Sequence, residues 1–165
     1  AASGSQMGGM AGGMGKMSNR QNITDAVESF YVDIIERYKD LERQIAGESR
    51  ITTIFKRVDY KARIAKLKEF KKKVQNVNLK KIVIDEDDEL AAEVKEKLGI
   101  AHSLFVKLID AQVSCQTILY KKSEGEKVNM IDYRKAVHHV QKATEDLQNG
   151  LRNMDAVYAN LEEYE

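Results

Sequence analysis

The residues able to do chemistry in this chain are three histidines, one cysteine, a run of five acids and a cluster of lysines. His138 and His139 lie between Val137 and Val140 of a heptad stripe, so both point away from that stripe. No Glu-x-x-His pair accompanies them or His102, and the ligand set of a helical dimetal site is therefore missing. The sequence also lacks a His-Glu-x-x-His zinc motif, a Cys-x-x-Cys-His haem attachment, a phosphate-binding glycine loop, a dinucleotide glycine fingerprint and a Gly-x-Ser-x-Gly elbow. No catalytic residue, cofactor or metal ion is expected.

Asp85–Glu89 is five consecutive acids, which at first sight could hold calcium. An EF-hand loop needs alternating ligands and a turn glycine, and neither is present. The run reads instead as the N-terminus of a helix, where the macrodipole favours negative charge. Cys115 falls inside a hydrophobic stripe and reads as a small core residue, because a reactive thiolate needs an electropositive, accessible setting. One cysteine excludes an internal disulfide framework and points to a reducing, cytoplasmic setting. No apolar run approaches the ~20 residues that span a bilayer.

Charge is the strongest chemical signal. Residues 50–81 hold twelve Lys or Arg against two acids, while the rest of the chain holds fifteen basic and twenty-four acidic residues. A formal net charge of +1 hides this asymmetry. Part of the basic segment can pair with acidic neighbouring helices, but such surface pairs contribute at most a few tenths of a kcal/mol, about as much as exposed pairs generally do. Lys61, Lys68, Lys71 and Lys72 lie off the apolar stripe of their helix. They are expected to present charge to an anionic partner, whether nucleic-acid phosphates, anionic lipid or an acidic protein.

The elements that position these groups are helices. Proline is absent, and an interior proline would cost a helix ~3 kcal/mol. Met130, Tyr133, Val137, Val140, Thr144, Leu147, Leu151, Met154, Tyr158 and Leu161 alternate spacings of three and four, which keeps them on one helical face. Asn129 with Asp132 is a capping pair for this helix. A third helix carries Leu90, Val94, Leu98, Ala101, Phe105, Leu108, Gln112, Cys115 and Leu119. Its stripe stays in phase across Gly99, so one helix is expected to about Lys122, with a weak point at the glycine. Ser123 to Lys127 is then a short turn, which makes helices three and four antiparallel neighbours. That register sets Phe105 near Leu147, Ala101 near Leu151 and Val94 near Tyr158, and places Gln112 and Thr144 close enough to share a hydrogen bond.

The first helix is expected from Asn22, capped by Asn22 with Asp25, with the stripe Val27, Tyr31, Ile34, Tyr38, Leu41 and Ile45. The second opens at Ser49 and either twists or breaks near Asp59. Residues 79–84 read as an extended connector pinned by aliphatic side chains. Residues 1–17, rich in Gly and Met, read as a disordered tail or an added linker, with Met17 as the native start.

Together these features predict a single domain over residues 18–165. It is an all-α, antiparallel four-helix bundle of two shorter helices followed by a long, coiled-coil-like hairpin. The uncovered part of such a hairpin would be an apolar strip. The expected function is a non-enzymatic interaction module, an adaptor, scaffold or chaperone-like protein, that binds a protein partner or self-associates through an apolar groove. The alternative is an electrostatic binder of nucleic acid or anionic membrane through the basic helix 50–81.

Overall fold

The computed structural model describes residues 19–47 and 58–163. It is all-helical, with four helices and, among the described residues, no strand. They are α1 (19–47), α2 (Tyr60–Asn76), α3 (Glu89–Ser123) and α4 (Met130–Glu163). The expectations for residues 1–17 and for a helix opening at Ser49 lie outside the described residues.

α3 occupies the centre. Its residues Ala91, Val94, Leu98, Ala101, Phe105, Leu108 and Ile109 are all fully or almost fully buried. Phe105 sets its ring edge-on to Phe30 at 6.2 Å and to Tyr38 at 5.3 Å, both on α1. Tyr38 in turn meets Phe70 of α2 edge-on at 6.3 Å. These tilted pairs align positive ring edges with negative faces, so they add to the area buried. The helix runs unbroken through Gly99, where a β-carbon would lie 3.3 Å from Leu79 Cδ1. The glycine admits the connector to the helix surface. By length and composition alone α3 is apolar enough to cross a membrane. Its most apolar stretch is still interrupted by His102, Lys107, Asp110 and Gln112, so the expectation that no apolar run reaches ~20 residues stands beside it. The burial of its apolar residues against the other helices is the signature of a core helix too.

α3 ends in hydrogen bonds that require a glycine. The N–H of Glu126 donates to the Lys121 carbonyl and that of Gly125 to Lys122, while Gly125 has φ +86°. This is the six-to-one and five-to-two pattern that closes a helix through a left-handed residue. Asn129 then caps α4, its side chain accepting from Ile131 N–H at 2.8 Å, without help from Asp132. α4 packs on α3, and Leu104 meets Gly150. That contact falls between the expected Phe105–Leu147 and Ala101–Leu151 pairings.

α1 departs from expectation in two ways. It already runs at residue 19, and Asn22 does not cap it; its side-chain amide donates to the Val83 carbonyl at 3.3 Å. A π-helical stretch, Phe30–Ile35, interrupts it, with the Glu36 N–H bonded to the Tyr31 carbonyl five residues back. The extra residue lets Ile34 and Ile35 both reach the core and turns Phe30, rather than Tyr31, fully inward.

α2 starts where the sequence weakens. Asp59 is its N-cap, accepting from Ala62 N–H at 3.0 Å. The connector is not extended throughout: Leu79–Lys81 form a 3-10 turn capped by Asn78, whose side chain accepts from Lys80 N–H at 3.1 Å. Its aliphatic side chains do pin it, with Leu79, Ile82 and Ile84 against the core. The Lys95 ammonium adds a bond to the Ile82 carbonyl at 3.0 Å. The acid run delivers the α3 cap: Asp88 is 3% exposed, accepts from Ala91 N–H, and binds the Arg20 guanidinium through both oxygens at 2.8 and 3.1 Å. A bidentate pair of this kind is the strong form of ionic contact.

Candidate functional site

The α4 stripe is not buried evenly. Leu147, Met154 and Leu161 are core residues with Leu151 and Tyr158 half-buried between them, whereas Tyr133, Val137, Val140 and Thr144 are half-buried without a fully buried stripe residue among them. Those four line a groove of about 750 Å³ to which every helix contributes. α1 supplies Ile45, the start of α2 supplies Tyr60 and Arg63, and α3 supplies Cys115 and Leu119. Heptad spacing carried the apolar side chains here, and the taper of the described packing leaves them partly accessible.

The groove's polar groups come from all four helices. Gln116 is buried, and its side-chain carbonyl accepts from the Arg63 guanidinium at 3.3 Å. Gln112 is buried too, and its amide donates to the Tyr38 hydroxyl at 3.1 Å. The bond expected between Gln112 and Thr144 is absent. Thr144 donates to the Val140 carbonyl of its own helix at 2.7 Å, and Gln112 finds its partner on α1. Burial raises the Cys115 thiol and the Tyr133 phenol and lowers Arg63. Cys115 is thus disfavoured as a thiolate, and the groove's described walls offer shape and hydrophobicity.

The basic face is divided. Lys61, Lys68 and Lys72 are exposed. Lys61 lies over the Tyr120 ring at 5.9 Å, while Lys68 and Lys72 have no ion-pair partner among the described residues. Lys71 does not belong with them. It is half-buried and tied to Asp110 at 2.7 Å, since α2 lies against α3 at this level. The four lysines therefore do not form one free surface. Among the described residues, no three His, Cys, Asp or Glu side chains gather as metal ligands.

Sequence reasoning missed His102. It is buried against Phe30 with ring centres 4.6 Å apart, and burial holds its pKa down at about 4. Its position four residues after Leu98 on α3 was the available signal. It also missed the Arg63–Gln116 contact, which depends on how α2 crosses α3. Comparisons with protein-family models, with curated proteins and with solved structures found no match.

Proposed function

We propose that this protein is a non-catalytic helical interaction module of the cytoplasm. In this reading it is an antiparallel four-helix bundle, two shorter helices followed by a long hairpin. A partner helix, or a second copy of the chain, lies in the groove bounded by Tyr133, Val137 and Val140. The meeting of Leu104 with Gly150 and the tight turn at Gly125 support the antiparallel hairpin. The observation that carries the function is the change along the α4 stripe, from the buried Leu147 end to the half-exposed Val137 end. A continuous apolar seam half open to solvent is the geometry that accepts an amphipathic helix.

The test is sedimentation equilibrium of the purified chain, alone and with a designed amphipathic helix, at low and high salt. Apolar association changes little with salt, whereas phosphate binding weakens steeply. Replacing Val137 and Val140 with Glu should leave helicity near normal and abolish association. A wild-type chain that stays monomeric and ignores the helix would end this reading. The alternative, an electrostatic binder of nucleic acid or anionic membrane, keeps support from the exposed, unpaired Lys68 and Lys72. It predicts the opposite salt dependence.

A further inference from the structure

A second concavity, of about 890 Å³, lies between the end of α2, the 3-10 turn and the middle of α3. Three of the side chains lining it are lysines: Lys80 and Lys81 from the turn, and Lys107 from α3. Among the described residues, no Asp or Glu lines it. None of the three ammonium groups has an ion-pair partner or ring contact among the described residues. This contrasts with Lys71, Lys73 and Lys142, each of which meets a carboxylate. The nearest acid along α3, Asp110, is already engaged by Lys71 at 2.7 Å.

We propose that this basin binds a compact soluble anion carrying two or more phosphate groups. The three exposed lysines border one depression, and a polyanion seated in it can accept charge-assisted hydrogen bonds from more than one of them. Neutral donors stand beside the lysines, in the amides of Gln75 and Asn76 and the hydroxyl of Ser103. The C-terminal dipole of α2 explains Lys80 and Lys81 in part, since cations are favoured past a helix end. It does not explain Lys107, which sits mid-helix on another element. A concavity walled by two helices and a turn suits a small polyphosphate better than a nucleic-acid strand, which needs an extended basic track. The basin does not depend on the groove reading.

The experiment is isothermal titration of the full chain with sodium tripolyphosphate at about 50 mM and about 300 mM sodium chloride. The expected result is saturable one-to-one binding that weakens with salt. Lys80→Gln, Lys81→Gln and Lys107→Gln combined should weaken it by about tenfold or more, because each charge-assisted bond is of that order. A control with Lys121→Gln, Lys127→Gln and Lys135→Gln removes the same charge from other exposed positions and should change affinity less than about threefold. Circular dichroism confirms that both variants fold. Equal weakening by the two variants, or no saturable binding to the wild type, overturns the proposal. Vesicles containing a phosphoinositide bisphosphate form a further arm. Binding to vesicles without binding to free tripolyphosphate would assign the lysines to a membrane surface and overturn the soluble ligand.

Discussion

Leu104 of α3 occupies the space that a side chain at Gly150 of α4 would need: a β-carbon built there lies 2.6 Å from Leu104 Cδ1. Gly150 is buried and Leu104 half-buried, so the glycine sets how closely the two longest helices approach. Alanine there gains helix propensity of about 1 kcal/mol but must displace the leucine. The atom displaced is the end of a flexible, half-buried side chain, so Gly150→Ala should change stability by less than about 1 kcal/mol in the wild-type background and be more stabilising in Leu104→Ala. A coupling of about 0.5–3 kcal/mol is expected from a denaturant double-mutant cycle. Strict additivity would show that the two positions do not touch.

The two halves of the α4 stripe should respond differently to truncation. Leu147, 5% exposed, should lose ~2–5 kcal/mol on substitution by alanine, through lost transfer energy and a cavity. Val137, half-buried on the groove wall, should lose less than about 1 kcal/mol when shortened to alanine. Urea midpoints would measure both. Similar losses at the two positions would mean the groove end is packed as tightly as the core.

Arg20 and Asp88 join the first turn of α1 to the cap of α3. Asp88→Ala removes the cap and the bidentate acceptor of a mostly buried guanidinium, so a loss on the order of 2–4 kcal/mol is expected. Asp88→Asn keeps a capping oxygen and should lose less. Thermal melts of the two variants would rank them, and equal melting temperatures would mean that the cap contributes nothing and the ion pair alone matters.

Acid should weaken the fold partly through His102. Its folded pKa of about 4 lies below the 6.5 of an exposed imidazole. Between those values the unfolded chain holds more protons, so stability falls as pH drops through the window and is fully regained above about 6.5. The histidine's share is of order 3 kcal/mol, at about 1.4 kcal/mol per pH unit. His102→Leu should flatten the stability profile between pH 6.5 and 4 relative to the wild type. An unchanged profile would show that other groups govern the acid response.

The parts of the fold that local chemistry specifies were legible in the sequence. The α4 stripe, the unbroken α3, the acidic start of α3 and the glycine turn at Gly125 each follow from spacing or capping over a few residues. The start of α2 after Asp59 coincides with a loss of phase in the apolar stripe. What escaped depends on contacts between helices. Gln112 chose Tyr38 over Thr144 because α1 supplies a hydroxyl at that level. Lys71 left the free basic face because Asp110 lies opposite it on α3. The groove was foreseeable as an unfilled seam, but its polar wall of Arg63 and Gln116 needed the crossing of α2 over α3. In the second basin Lys107 sits 26 residues beyond Lys81, on an element whose approach to the Lys80–Lys81 turn no periodicity records.

The π-helical stretch in α1 has a consequence in the currency of insertions and deletions. Val32, at its centre, is 61% exposed, so the stretch holds one residue that the core does not use. Excising Val32 would let the turn close with ordinary α-helical bonding. Ile23, Val27 and Phe30 on one side, and Tyr38 and Leu41 on the other, would still face inward. A deletion variant at this point should melt near the wild type, while deletion of Lys39, within regular helix, should rotate one end of α1 out of the core and unfold it. At this point the helix can change length without changing face, so related chains one residue shorter here would share the same core.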